Sequence, residues 1–130
     1  RIEQEYNKSG PGMYGFFSSF LTRAHMNTTA FAITPQLLHS YPRVLSHADR
    51  YGFEHGPWAM WRRVAALKLP TKFVTWNGVW DPPQWRTPKN ILWTGDQSEL
   101  LVWCNHTDRY FAANPNTRYE WERGANRFVG

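Results

Sequence analysis

Aliphatic side chains are scarce in this chain, and that shortage limits the kind of core it can build. Isoleucine, leucine and valine together account for 18 of 130 residues, whereas tryptophan, phenylalanine and tyrosine account for 22. Aromatic rings cover much apolar area with few rotatable bonds, and tryptophan and arginine are enriched at the centres of protein–protein contacts. We therefore expect a chain that is held together partly by its neighbours.

Length and charge favour a single basic domain that contacts other proteins. A chain of 130 residues predicts one domain, and 11 arginines and 4 lysines give it a net charge of +5. Arginine suits stacked and bidentate contacts. The basic residues are scattered, with one adjacent pair at Arg62-Arg63. This pattern favours protein contacts over a continuous stripe that would bind nucleic acid.

The single cysteine and the first residue bear on the compartment. Cys104 has no partner for an internal disulfide. The sequence begins at Arg1, as mature mitochondrial and secreted proteins do. Because secreted proteins of this size usually contain disulfides, we expect a mitochondrial protein.

The N-terminal part predicts a flexible arm over residues 1–12 and a helical part over residues 13–70. Between Met13 and Ala24 the apolar side chains recur at helical spacing. This stripe includes Phe16, Phe17 and Phe20. The segment 13–33 is too polar for a comfortable membrane span. We expect it to contact a partner or the membrane surface, with an ordinary core-facing helix as the alternative.

Two further helices are predicted inside the helical part. One begins at Pro42 and ends near Tyr51, and the other extends from Trp58 to about Leu69, before Pro70. On a helical wheel Trp58 and Trp61 share a face. Since the second helix is apolar on most of its circumference, part of its cover is expected from a partner.

Residues 71–90 predict an extended segment rich in tryptophan and proline. Asn77-Gly78 between apolar flanks is a strong hairpin signal. The prolines that follow stiffen the chain and lower the entropic cost of lying along a partner. We expect at least two of the indoles of Trp76, Trp80 and Trp85 to bury against another polypeptide, with Arg86 paired there. Packing of these rings in the chain's own core is the alternative.

The C-terminal residues 91–130 predict a small antiparallel meander. Four candidate strands are separated by turn residues: Ile91–Trp93, Leu100–Cys104, Arg109–Ala113 and Arg118–Arg123. The predicted fold class is therefore α+β. It comprises two or three short N-terminal helices, a Trp/Pro-rich extended segment and the C-terminal meander, in one structural unit.

No motif for catalysis or for a cofactor occurs in the sequence. His47, Asp49, Glu54 and His55 form the one concentrated group of metal-ligand types, but their spacing matches no closed zinc pattern. We therefore predict no enzyme activity, no catalytic residue, no cofactor and no metal.

The leading hypothesis is a non-catalytic accessory subunit of a large mitochondrial inner-membrane complex, such as a respiratory-chain complex or ATP synthase. The stretch Asp81–Trp85 resembles a Pro-Pro-acid-Trp stretch of an accessory subunit of complex I, over five residues and without any role carried over. A mitochondrial ribosomal protein that contacts RNA is the first alternative. A small secreted or carbohydrate-binding module is the second, since sequons occur at Asn7, Asn27 and Asn105.

The predicted partner-binding residues combine the three aromatic segments. They are Phe16, Phe17, Phe20, Trp58, Trp61, Trp76, Trp80, Trp85 and Arg86.

Overall fold

A mixed four-stranded sheet lies at the centre of the fold. The structure is a computed structural model that describes residues 1–16, 18–19, 25–28, 30–85 and 97–127. The strands are β1 (Met13–Gly15), β2 (Ser18–Ser19), β3 (His25–Met26), β4 (Phe31–Ile33), β5 (Thr71–Val74) and β6 (Val79–Trp80). The main sheet has the order β4-β1-β5-β6, and β2 pairs with β3 in a small second sheet.

Along the chain, helices lie before, between and after the strands of this sheet. They are α1 (Ile2–Ser9), α2 (Pro35–His39), α3 (His47–His55), α4 (Met60–Ala66), α5 (Asn105–Ala112) and α6 (Pro115–Arg127), with a 3₁₀ turn over Pro82–Gln84. Among the described helices, none is long and apolar enough to cross a bilayer.

Strand β1 organises the fold because it is buried and paired on both edges. It runs antiparallel to β4, with Met13 opposite Ile33, and parallel to β5, with Met13 opposite Thr71. A parallel pair requires a crossover connection. Here the crossover is the chain from residue 16 to residue 70, which contains α2, α3, α4 and the second sheet.

Gly15 allows β3 to approach β1 closely. A Cβ atom at this position would lie 2.6 Å from Cγ of Met26, closer than two carbon atoms can pack. The glycine therefore fixes where β3 lies, and with it the neighbouring residue His25.

The core is built from aromatic rings and methionine. Its buried members are Met13, Met26, Ala59, Met60, Trp61, Val64, Phe73 and Trp85. Trp85 is 1 % exposed, and its ring centroid lies 4.8 Å from that of Trp61 and 4.4 Å from that of Phe73. Its Nε1 atom donates a hydrogen bond to the carbonyl oxygen of Trp80 at 3.0 Å, so the polar edge of this buried indole is satisfied.

The predicted C-terminal meander is wrong. Two of the four expected strands lie within helices α5 and α6, and Leu100 forms one isolated bridge to Thr75. Pro115 at the start of α6 suits the first helical turn, and the Asn114 side chain accepts a hydrogen bond from the backbone N–H of Thr117 at 2.9 Å. This signal for the start of a helix outweighs the alternation of polar and aromatic residues that follows it in the sequence. The expected strand Ile91–Trp93 lies outside the described residues.

The order of elements in the N-terminal half also differs from the prediction. Residues 2–9 of the expected arm form α1, and the expected helix from Met13 begins instead with strands β1 and β2. Pairing of β1 with two neighbours satisfies its backbone on both edges, and this tertiary pairing overrides the helical spacing of the apolar residues.

The hairpin predicted at Asn77-Gly78 forms, but its turn is centred one residue earlier, on Trp76-Asn77, because Thr75 pairs with Gly78. Strands β5 and β6 pair antiparallel across the turn, with Val74 opposite Val79. The Thr75 hydroxyl accepts hydrogen bonds from the Gly78 backbone N–H and from Nε1 of Trp80, both at 3.1 Å. The segment from Trp76 to Trp85 thus folds back onto the sheet.

Candidate functional site

The structure places the predicted tryptophans in three different environments. Trp61 and Trp85 are 8 % and 1 % exposed and fill the chain's own core, so they leave almost no surface for a partner. Trp80 is partly buried against that core. Trp58 and Trp76 are 74 % and 61 % exposed.

The helical wheel fails for Trp58 because helix α4 begins two residues later, at Met60. Trp58 therefore lies before the helix and is exposed while Trp61 is buried, although the two were expected on one face. Phe16 is partly buried against a second cluster around Leu100 and Tyr110. Phe17, Phe20 and Arg86 lie outside the described residues.

Trp58 separates two shallow grooves, which together we name the Trp58 surface. The first groove, of about 260 Å³, lies between Trp58 and Leu67, and Leu67 is itself 60 % exposed. The second, of about 220 Å³, lies between Trp58 and the segment Tyr41–Arg43. The two grooves share Trp58 as a common wall, and exposed apolar side chains beside grooves are typical of surfaces that bind other proteins.

The border of the Trp58 surface is positively charged. Arg63 borders the first groove and Arg43 the second. The carboxylate of Asp49, also in the second groove, accepts hydrogen bonds from the backbone N–H groups of Leu45 and Ser46 at 3.0 and 3.1 Å. The hydrogen bond from Leu45 contributes most to lowering the pKa of Asp49. The carboxylate therefore stays charged at the start of α3. Arg63 stacks over the Tyr41 ring and donates a hydrogen bond to the carbonyl oxygen of Ser40 at 3.1 Å, so its positive charge is held at the border of the surface.

A second candidate site is a cleft lined by histidine. It has a volume of about 580 Å³ and is lined by Asn27, Thr28, His47, Arg50, Tyr51, Glu54, His55 and His106. His25 lies behind it, 2 % exposed, with its ring centroid 4.0 Å from that of His55. Four of the five histidines of the chain therefore meet in one place, which we name the histidine cleft.

Glu54 is the centre of the histidine cleft. Its Oε1 atom lies 3.6 Å from Nε2 of His25 and 3.7 Å from Nε2 of His55. Its Oε2 atom accepts a hydrogen bond from the Thr28 hydroxyl at 2.7 Å. The ring of Tyr51 stacks on that of His55, with centroids 4.5 Å apart. Thr28 therefore orients the carboxylate from outside α3. His55 lies beside it on α3, the helix that carries Glu54 itself.

The sequence identified two of the three residues His25, Glu54 and His55. It singled out Glu54 and His55 together with His47 and Asp49, but His47 hydrogen-bonds Arg50 at the edge of the cleft and Asp49 caps α3. His25 was missed, because its segment carries helical spacing and nothing in the sequence places β3 beside α3. No local signal in the sequence would have identified it.

The chain matches no protein-family model, no curated protein and no solved structure. Its function therefore has to be inferred from the Trp58 surface and the histidine cleft.

Proposed function

We propose that this chain is a protein-binding accessory subunit of a larger assembly and that the Trp58 surface is where a neighbouring subunit docks. The observation that carries the proposal is the 74 % exposure of Trp58 between two apolar grooves. Tryptophan in a pocketed apolar surface is the residue most often found at an energetic centre of an interface.

The energetic argument concerns the area that Trp58 leaves in water. An indole of this exposure presents about 150 Å² of surface, and covering it at about 25 cal/mol per Å² is worth about 4 kcal/mol. Leu67, which is 60 % exposed and lines the first groove, adds to this apolar area. A partner that carries an apolar ridge bordered by a carboxylate would match the grooves and Arg43, which lines the second groove.

The arginine contacts favour a protein partner over RNA. Among the described residues, four arginines lie over aromatic rings of the chain itself, at 4.5 to 5.8 Å from the ring centroids: Arg62, Arg63, Arg109 and Arg118. These guanidinium groups are engaged in internal stacking, which is worth about 0.5–1 kcal/mol each at exposed sites. They are therefore poorly disposed as a phosphate-binding array.

We further propose that the assembly is a mitochondrial inner-membrane complex, and this part of the proposal is based on the sequence. Its support is the single cysteine and the arginine-rich basic composition. The cellular compartment and the identity of the complex are tested by the same experiment as the docking surface.

The test is co-purification of the tagged full chain from cells that contain its natural partners. We expect the wild-type chain to run in a particle much larger than 15.3 kDa. Trp58→Ser should reduce its incorporation by roughly thirtyfold, which corresponds to the cost of about 2 kcal/mol for truncating a central interface tryptophan.

Tyr119→Ser is the matched control, since Tyr119 is a 60 % exposed aromatic residue on α6, away from the Trp58 surface. It should leave incorporation unchanged. Wild-type protein that stays monomeric among its natural partners, or a Trp58→Ser variant that assembles like the wild type, would contradict the proposal. Salt-dependent binding of RNA by the purified chain would instead support the ribosomal alternative.

A further inference from the structure

We infer that the histidine cleft is a binding site for a divalent transition metal of the zinc class, with His25, Glu54 and His55 as its protein ligands. The three side chains each offer one ligand atom, and these atoms lie within 4.8 Å of one another. They form the one group of this kind among the residues that the structure describes. The inference goes beyond the proposed docking function, because it concerns a different surface.

The distances in the cluster suit a shared metal better than hydrogen bonds. The two Nε2 atoms lie 3.6 and 3.7 Å from Oε1 of Glu54, beyond the 2.7–3.2 Å of an ordinary N–H···O bond. Ligand atoms around tetrahedral zinc at about 2.1 Å are separated by about 3.4 Å. The two histidine–carboxylate distances are thus within a few tenths of an ångström of that spacing, and the exposed side of the cluster at His55 allows its ring to adjust toward a shared ion.

The surroundings of His55 point the same way. Its Nδ1 atom is buried and has no hydrogen-bond partner in the described part of the chain. Within the described residues, no hydrogen bond to Nδ1 selects a tautomer of this ring, which stacks on Tyr51. A cation at Nε2 would fix the tautomer, since a bound metal requires the lone pair on that nitrogen.

Thr28 supplies the outer contact that metal-binding carboxylates usually have. Its hydroxyl donates to Oε2 of Glu54 at 2.7 Å, which leaves Oε1 directed at the two imidazoles. Such outer hydrogen bonds orient the ligand and commonly contribute ten- to a hundredfold to metal affinity.

The ligand set and the open cleft define the class of metal and its remaining position. Two imidazoles and one carboxylate suit Zn²⁺, Co²⁺ or Ni²⁺ rather than Mg²⁺ or Ca²⁺. Three protein ligands would leave a fourth position open, and Glu54 and His55 both line the cleft from which it would be filled. Water or a small anion can occupy that position.

The test is titration of the purified, folded full chain with Zn²⁺ by calorimetry, with metal content measured after gel filtration. We expect one ion per chain and a higher melting temperature with Zn²⁺ than without it. His55→Ala and Glu54→Gln should each weaken binding by at least about a hundredfold, because each removes a ligand. Thr28→Val should weaken it by about tenfold.

His39→Ala and His47→Ala are the matched controls. His39 is an exposed histidine at the end of α2, and His47 borders the cleft without belonging to the cluster. Both variants should bind Zn²⁺ like the wild type. His55 is chosen for removal over the fully buried His25, and circular dichroism checks that each variant is folded.

Two results would overturn the inference. One is a folded wild-type chain that binds no Zn²⁺ at micromolar concentration, which would leave the cluster as an ion pair between Glu54 and histidine. The other is equal loss of binding in His39→Ala or His47→Ala, which would show adventitious binding by surface imidazoles.

Discussion

At the scale of single residues, Tyr110 shows how one buried hydroxyl couples the two C-terminal helices. Its side chain is 3 % exposed on α5, and the hydroxyl donates a hydrogen bond to Oε1 of Glu122 on α6. Burial, and then the hydrogen bond and charge of Glu122, raise the pKa of Tyr110 to about 12, while Arg118 opposes the shift. The phenol therefore stays protonated in the folded chain well above its ordinary range.

This pKa predicts a loss of stability at alkaline pH. Between pH 10 and 12 the unfolded state has released the Tyr110 proton while the folded state retains it. The contribution, about 2–3 kcal/mol, is therefore complete below pH 10 and is lost as pH rises to 12. Urea unfolding at pH 9 and pH 12 should show a smaller decrease in Tyr110→Phe than in the wild type. Tyr119→Phe, at an exposed position, should decrease like the wild type, and equal decreases in all three chains would contradict the assignment.

At the scale of elements, the sequence predicted helices where hydrophobic spacing and caps agree and missed them where the two conflict. Helix α4 lies inside the expected helix from Trp58 to Leu69. Helix α3 begins at His47 rather than after Pro42, because Ser46 and Asp49 form a capping box that fixes its first turn. That signal is visible in the sequence. The pairing of β1 with β5 is not, because it joins residues 58 positions apart along the chain.

The capping box gives a prediction for helix α3, which carries both Glu54 and His55. The Ser46 hydroxyl accepts from the Asp49 backbone N–H at 3.0 Å. Ser46→Ala should lower the free energy of unfolding by about 1 kcal/mol, because a donor of the first turn loses its partner. Ser46→Gly should cost only a few tenths of a kcal/mol. Chemical denaturation measures both, and an equal cost for the two variants would show that the cap is not what stabilises α3.

At the scale of the whole molecule, the aromatic excess serves both a core and a surface. From the shortage of aliphatic residues we expected partner contacts, with core packing of the indoles as the alternative, and that alternative applies to Trp85. The methionines that share this core were not predicted. Composition cannot divide the rings between interior and surface, because that division depends on where each element begins. Trp58 and Trp61 differ by three positions and lie in opposite environments for this reason.

Trp85 and Trp76 allow this division to be tested on the stability of the whole chain. Trp85 contacts Trp61 on α4 and Phe73 on β5, so its removal opens a cavity where the crossover packs on the sheet. Trp85→Ala should cost about 3–5 kcal/mol, a large part of the roughly 5–15 kcal/mol that stabilises a domain. Trp76→Ala, at a position 61 % exposed, should cost less than about 0.5 kcal/mol. Thermal and urea unfolding distinguish the two. If instead Trp76→Ala unfolds the chain and Trp85→Ala does not, the core lies elsewhere, and the indole of Trp85 becomes available to a partner as the sequence first suggested.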